Sequence, residues 1–148
     1  MNVRIVVADE REAQFFDAVT LTSLTGRGTL VNEAGRMKDG DLESDRPGSR
    51  SAGPSGAGHR HGVTGEKSTV QHELTLFAKE VAKRIDADRV KNEFDKLVLV
   101  AGPKMLGLLR QSLPTPSQSL LAAEVSKDLT HQSQAAILKA LPGDAFFQ

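Results

Sequence analysis

Residues 94 to 113, FDKLVLVAGPKMLGLLRQSL, constrain the fold more than any other stretch of the chain. Residues 97 to 101 form an apolar run without polar alternation, which is typical of a β-strand covered on both faces. Pro103 suits the first position of a following helix, because the N–H that proline lacks has no helical partner there. A strand of this kind that leads directly into a helix predicts an α/β sheet protein. The predicted buried stripe of the helix consists of Met105, Leu106, Leu109 and Leu113.

The corner between this strand and helix, Gly102-Pro103-Lys104, has two interpretations. It lies at the carboxyl end of a strand and the amino end of a helix, where open α/β sheets bind anions. Proline at the first helical position, however, removes one of the backbone donors that an anion would use. The pattern therefore favours a structural corner, with an anion site as the alternative.

Three short strands are predicted before residue 32. Residues 3 to 8 form an apolar run, residues 14 to 19 read as a second strand, and Asp9-Glu10 supplies the turn between them. Residues 21 to 31 predict a third strand, interrupted at residues 26 to 28, where two glycines permit a turn or bulge. Consecutive strands joined by short turns indicate an antiparallel meander.

Two helices and a strand complete the predicted fold. Ser68, with Gln71 three residues later, matches the capping box of a helix start. Residues 120 to 125 read as a strand, and Thr130 is predicted to cap a final helix. We therefore expect an α/β fold with a mixed sheet, in which helices pack on a meander plus a strand-helix-strand-helix unit. The predicted apolar stripes are Leu74, Phe77, Ala78, Val81 and Ile85 in the first helix, and Ala136, Ile137, Ala140 and Leu141 in the last.

A long polar segment separates the meander from the first long helix. Residues 32 to 67 have few apolar side chains and are rich in Gly, Ser and Pro, which predicts a flexible loop. Two interpretations are open: a segment that is disordered in the free protein, or one that orders on a partner. A chain of 148 residues suffices for one core, so residues 1 to 148 are expected to form a single domain, completed by Phe146 and Phe147.

The loop contains a basic run, because residues 46 to 62 include no acidic side chain. Arginines on a flexible, glycine-rich arm suit a phosphate backbone, which they bind through charge without reading bases. The alternative is a solvated linker. The candidate binding residues of this run are Arg46, Arg50, His59, Arg60 and His61.

Composition excludes several functions. The chain has no cysteine, which excludes disulfides, thiolate metal sites and a cysteine nucleophile. Nineteen basic and nineteen acidic side chains leave no net charge, so a polyanion would have to bind a local patch. The apolar run at the amino terminus is far shorter than the roughly 20 residues that span a bilayer. We therefore expect a cytoplasmic protein without membrane insertion.

Motifs for catalysis or cofactor binding are lacking. Residues 62 to 68, GVTGEKS, match a phosphate-binding loop only in part, because Glu66 separates glycine from lysine. His59, His61 and His72 lack the carboxylate spacing of a zinc site, and the Gly-x-Ser-x-Gly elbow of serine hydrolases is absent. The sequence therefore predicts no metal, no cofactor and no catalytic residue.

Three segments carry a family resemblance: DLESDRPGSRSAG at residues 41 to 53, the stretch at 94 to 113, and VSKDLTHQ at 125 to 132. In this order, with an amphipathic helix between the first two, they resemble the bacterial host attachment protein family. That family is described as required for attachment to host cells, and it is similar to the middle domain of archaeal and eukaryotic class-1 release factors. The resemblance implies an α/β domain with a long loop ahead of a long helix.

The resemblance also bears on site residues and activity. The matching positions include Asp45, Arg46, Lys127 and His131, for which it implies binding. The Gly-Gly-Gln with which release factors hydrolyse peptidyl-tRNA is absent, so no catalytic residue carries over. We expect a non-catalytic protein that associates with ribosomes or tRNA through its basic loop. The alternatives are a host-attachment factor acting through a protein partner, and a release-factor-like hydrolase that has lost or altered its Gly-Gly-Gln motif.

Overall fold

The computed structural model describes residues 1 to 34 and 62 to 143, with the side chains of residues 62 to 68 left undescribed. These residues form a mixed five-stranded sheet with helices on both faces. The α/β class and the mixed sheet expected from the sequence are therefore confirmed. Most of the predicted loop, and the packing predicted for Phe146 and Phe147, lie outside the described ranges.

The first three strands form the predicted antiparallel meander. They are β1 (Val3–Ala8), β2 (Glu12–Ala18) and β3 (Thr25–Val31), and each pairs with the next. β3 runs through both of its glycines, of which Gly28 has a φ of 106°, and the β2–β3 ladder shifts register. The predicted interruption of the third strand is therefore an irregularity within a continuous strand.

The second half of the sheet is parallel. β4 (Lys96–Ala101) lies beside β1, and β5 (Leu121–Ser126) lies beside β4, which produces the strand order β3-β2-β1-β4-β5. Because β1 and β4 are the two central parallel strands and both are covered, almost all of their residues are buried. The helices are α1 (Gly62–Val90), α2 (Pro103–Ser112), α3 (Thr115–Gln118) and α4 (Gln134–Ala140).

Two apolar clusters hold the helices to opposite faces of the sheet. α1 and α2 pack on one face together with Phe15, whereas α4 packs on the other face with Phe16. The alternation of strand side chains separates these two neighbouring aromatic rings. The predicted stripes of α1 and α2 are confirmed, since Leu74, Phe77, Ala78, Val81, Ile85, Met105, Leu106, Leu109 and Leu113 are all buried.

The predicted helix starts were wrong in two places. α1 begins at Gly62, so Ser68 lies inside the helix and residues 62 to 68 form neither a capping box nor a phosphate loop. The cap of α4 is Ser133, whose hydroxyl accepts the backbone N–H of Ala136 at 3.1 Å. Thr130, the predicted cap, lies three residues earlier and bonds to carboxylates instead.

Candidate functional site

β1, β4 and β5 run parallel, so all three end at the same side of the sheet, here called the carboxyl end. A cavity of about 340 Å³ opens there. Each of the three strands contributes the residues that directly follow it, and α1 closes one side. The lining residues are Asp9, Glu10, Arg11, Leu74, Gly102, Pro103, Lys104, Met105 and Asp128.

Asp9 organises the turn that follows β1. One of its carboxylate oxygens, Oδ1, accepts the backbone N–H groups of Arg11 and Glu12 at 2.7 and 2.9 Å. Such bonds from an aspartate to the backbone two and three residues later stabilise a tight turn, and they fix the direction of the side chain. The other oxygen, Oδ2, accepts a hydrogen bond from the hydroxyl of Thr130 at 2.9 Å.

Thr130 joins the ends of β1 and β5. Its side chain is only 1% exposed, and its hydroxyl oxygen lies 2.9 Å from both Asp9 Oδ2 and Asp128 Oδ1. A hydroxyl has one hydrogen and donates to one of the two carboxylates at a time. Because both oxygens contact the same hydroxyl, they are at most about 6 Å apart, a separation at which two carboxylates repel each other.

Lys104 supplies a cationic group to the lining of the cavity. It is exposed in the first turn of α2, after the cap residue Gly102, which has no side chain to cap the helix. Among the described residues, Lys104 forms no ion pair, so its ammonium group is open to solvent at the cavity. The interpretation of Gly102-Pro103-Lys104 as a strand-to-helix corner is confirmed, since β4 ends at Ala101 and α2 begins at Pro103.

The segment with the basic run leaves and re-enters the fold at this same end. After β3, the backbone N–H of Asn32 donates to the carbonyl of Arg11 at 2.7 Å, and its side chain donates to the carbonyl of Glu10. α1 passes the cavity at Leu74 and continues toward the start of β1. The twelve residues of α1 before Leu74 therefore extend about 18 Å past the cavity, away from the sheet.

The predicted site residues divide into two groups. Lys127 and His131 are exposed and flank Asp128 and Thr130, so they lie beside the cavity without lining it. Six others fall outside the described residues, and their roles stay predictions. They are Asp45, Arg46, Arg50, His59, Arg60 and His61.

The other end of the sheet holds a closed network of ion pairs that the sequence did not predict. Arg4 is fully buried in β1 and bonds Asp17 of β2 at 2.5 Å and Asp88 of α1 at 2.6 Å. Arg84 bonds Asp88 at 3.1 Å and stacks over the Phe15 ring at 4.4 Å. This network ties α1 to the first two strands and is structural.

Burial and hydrogen bonding shift the pKa values of Arg4 and Asp88 in opposite directions. Burial alone raises the pKa of Asp88, but hydrogen bonds from Arg4 and Arg84 outweigh it and leave that pKa below its ordinary value. Burial alone lowers the pKa of Arg4, and hydrogen bonds to Asp17 and Asp88 outweigh it and raise that pKa. The paired, charged forms are therefore the stable ones.

Two other kinds of site were not found in residues 1 to 34 and 62 to 143. None of their helices is long and apolar enough to cross a membrane. The same residues contain no group of three His, Asp or Glu side chains that could hold a metal ion. Asp9 and Asp128 are thus a pair of carboxylates with no third metal ligand in this part of the chain.

The fold and the carboxyl end define a class of protein: an α/β domain whose parallel strands end at a charged cavity, beside the exit of a basic segment. Residues 4–141 match the family described as protein required for attachment to host cells. Because the match covers well over half of the chain, the protein belongs to this family. The resemblance found in the sequence is confirmed.

Three individual proteins are also similar to this chain, one in sequence and two in structure. An uncharacterised protein of Rickettsia prowazekii is 30% identical over 66 residues, which are 43% of this chain and 44% of that protein. A solved archaeal protein has a TM-score of 0.51 and 11% identity, and an archaeal translation termination factor has a TM-score of 0.55 and 10% identity. At these identities the likeness to the two structures shows the fold alone.

The chain is short compared with the two archaeal chains. The two structural matches cover 97% and 99% of this chain but only 35% and 36% of the archaeal chains. The chain therefore spans less than half the length of the relatives it matches. The expected similarity to a release-factor domain is confirmed as a similarity of fold.

Proposed function

We propose that the protein is a non-catalytic RNA-binding protein that associates with ribosomes or tRNA through the basic run at residues 46 to 62, which lies in the segment between β3 and α1. The observation that carries this proposal is that both ends of the segment lie at the carboxyl end of the sheet. Asn32 is bonded to the turn after β1, and α1 extends past the cavity toward Gly62. These attachment points support an RNA contact at the carboxyl end of the sheet.

Chain length limits how far the arginines of the basic run can reach from the described residues. Arg60 precedes Gly62 by two residues, and Arg46 follows Ala34 by twelve. An extended chain covers at most about 3.6 Å per residue, so the reach of Arg46 from Ala34 is at most about 45 Å. Arg50 and Arg60 have no acidic side chain within four positions in the sequence, whereas Arg46 directly follows Asp45. Exposed arginines favour a phosphate backbone, because each contact releases bound counterions.

The fold relationship suggests which RNA to test. Of the two archaeal structures, the one with the higher TM-score is named as a translation termination factor. A partner in translation, either the ribosome or tRNA, is therefore the first choice for this chain. The absence of Gly-Gly-Gln between residues 32 and 67 favours binding without peptidyl-tRNA hydrolysis.

Co-sedimentation with ribosomes and with tRNA over a salt series tests the proposal. We expect wild-type protein to bind at low salt, with an affinity that falls steeply as salt rises. The variant Arg46→Ala/Arg50→Ala/Arg60→Ala should lose about two to three units from the slope of log affinity against log salt, since each lost phosphate contact removes about 0.7 to 0.9.

A matched control removes three exposed lysines elsewhere, and so changes the net charge equally. Lys83, Lys91 and Lys139 are exposed and lie away from the carboxyl end. Their triple change to Ala should leave the salt slope within error of wild type. An arginine variant that binds as tightly and as salt-dependently as wild type would show that the basic segment is not the RNA contact.

The family description favours a second candidate function, a host-attachment factor that acts through a protein partner. Fractionation of the bacterial cells shows whether the protein itself can contact the host or can act only indirectly, from inside the cell. Protein recovered on the cell surface supports direct host contact. Recovery in the cytosol alone excludes it.

A further inference from the structure

The turn after β1 connects the cavity to the segment that contains the basic run. Glu10 and Arg11 of this turn both line the cavity. The carbonyl of Glu10 accepts the side-chain N–H of Asn32 at 2.9 Å, and the carbonyl of Arg11 accepts its backbone N–H at 2.7 Å. The residue from which the chain continues toward the basic run is therefore bonded to the lining of the cavity.

The cavity has hydrogen-bonding groups that the described part of the chain leaves unused. Glu10 is exposed, and its carboxylate forms no hydrogen bond or ion pair with another described residue. The same holds for the ammonium group of Lys104. Asp9 differs, because both of its oxygens already accept hydrogen bonds, from the turn and from Thr130. A ligand in the cavity thus has the acceptors of Glu10 and the donors of Lys104 available to it.

The lining also offers apolar surface. Leu74 of α1 and Met105 of α2 line the cavity, and each is only 4% exposed. The volume of about 340 Å³ is in the range of small-ligand sites. Proteins hold an unpaired nucleobase by packing side chains on its ring and by hydrogen bonds to its Watson–Crick edge. The cavity provides groups for both kinds of contact.

Guanine is the base that these groups complement best. Its Watson–Crick edge has two adjacent N–H donors, at N1 and at the exocyclic amine, and a carboxylate with two unused oxygens accepts both. Its O6 and N7 atoms accept hydrogen bonds from a lysine ammonium group. In adenine and cytosine the ring nitrogen next to the amine is an acceptor, and uracil has no amine. A carboxylate therefore pairs with two adjacent donors only on guanine.

We propose that this cavity binds an unpaired guanine base of the RNA that the basic run holds. The carboxylate of Glu10 accepts the guanine N1–H and amine, and Lys104 donates to O6 or N7. The ring packs on Leu74 and Met105. The inference rests on the proposed function: the basic run supplies phosphate contacts, which position an RNA, and the cavity adds a base contact, which gives sequence preference.

Fluorescence anisotropy of the full chain with labelled RNA pentamers tests this preference. The pentamers consist of uridines with a central guanosine, inosine, adenosine, cytidine or uridine, and inosine lacks only the exocyclic amine of guanosine. We expect the guanosine pentamer to bind at least about fivefold more tightly than each of the others, because only guanine offers both donors to the carboxylate. This comparison needs no variant of the protein.

Variants assign the preference to the cavity. Glu10→Gln should bind the guanosine and inosine pentamers about equally, because an amide has one acceptor oxygen where the carboxylate has two. The exposed-site control Glu80→Gln should keep the wild-type preference. The variant Arg46→Ala/Arg50→Ala/Arg60→Ala should weaken all pentamers by a similar factor and leave the preference among them unchanged.

The outcomes separate this inference from the proposed function. Equal affinity of wild-type protein for all pentamers, or an undiminished preference in Glu10→Gln, would overturn the guanine site and leave RNA binding through the basic run intact. No binding of any pentamer at low salt would overturn both. Tighter binding of GMP than of the guanosine pentamer would identify a free nucleotide as the ligand, and would also overturn the proposal.

Discussion

Arg4 is the residue that holds the amino end of the sheet together. Its guanidinium group is buried between the carboxylates of Asp17 and Asp88, and it lies 5.3 Å from the centre of the Phe94 ring. Removal of one member of a buried ion pair is costly, because the remaining charge stays buried without a partner. The stability of this end therefore depends on the ionised carboxylate of Asp88.

The change Asp88→Asn tests this dependence on ionisation. Because hydrogen bonds from Arg4 and Arg84 outweigh burial and lower the pKa of Asp88, its charge stabilises the fold above the unfolded pKa of about 3.9. That stabilisation is lost as the pH falls through the lower, folded pKa. We expect the variant to lose about 1 to 3 kcal/mol of unfolding free energy at neutral pH, and less in acid, by urea titration.

The control for Asp88→Asn is an exposed ion pair. Glu124 lies 3.4 Å from Arg110, whose side chain is 52% exposed, so Glu124→Gln should cost less than about 1 kcal/mol. A loss for Asp88→Asn that is the same at neutral and at acid pH would contradict the assignment of its stabilising effect to the ionised carboxylate.

Residue-level features were the hardest to predict from the sequence. Arg4 interrupts an apolar run in the sequence, and its partner Asp88 lies 84 positions away. Thr130 has the residue type of a helix cap, yet it bonds Asp9, which is 121 positions away. Local sequence patterns contain no information on such contacts, because residues so far apart in the sequence come together only when the strands assemble into the sheet.

Among the elements, β3 has the most unusual backbone. It is an edge strand with five exposed residues, and it contains two glycines in different conformations. Gly28 has a φ of 106°, which L side chains rarely adopt, whereas the φ of Gly26 is not positive. A Cβ at either position would meet no atom within 4 Å, so conformation alone distinguishes them.

Paired alanine substitutions measure that difference. Gly28→Ala should lower the free energy of unfolding by about 1 to 3 kcal/mol, because alanine is strained at this φ. Gly26→Ala should be neutral or stabilising by up to about 1 kcal/mol, because it restricts the unfolded chain without strain. Thermal and urea unfolding of both variants would show the contrast, and equal losses would contradict it.

Element identities were largely predictable, and element starts were not. The apolar run at residues 97 to 101 and Pro103 together specify β4 and the start of α2, since each pattern is local. The start of α1 was predicted six residues too late, because Ser68 matches a cap by type while the helix continues through it. The first turns of α1 consist mainly of polar residues and glycine, so they show no apolar periodicity from which a helix could be predicted.

At the scale of the whole molecule, the two ends of the sheet differ in how their charges are used. At the amino end, arginines and carboxylates pair with one another and lock α1 onto the strands. At the carboxyl end, Asp9, Lys104 and Asp128 line an open cavity, and the segment that contains the basic run leaves the sheet at Asn32, which bonds to the turn after β1. The proposed binding function therefore belongs to one end of the protein, and the network of buried ion pairs belongs to the other.

Cross-linking of the protein to RNA in purified ribosomes and tRNA, with mass spectrometry of the cross-linked peptides, tests this division most directly. The expected result is that cross-links fall in residues 46 to 73 and near the carboxyl end, at positions such as Lys104 and Lys127. Cross-links concentrated at Lys83 and Lys91, toward the amino end, or no cross-links under conditions that permit co-sedimentation, would contradict the proposed RNA-binding side.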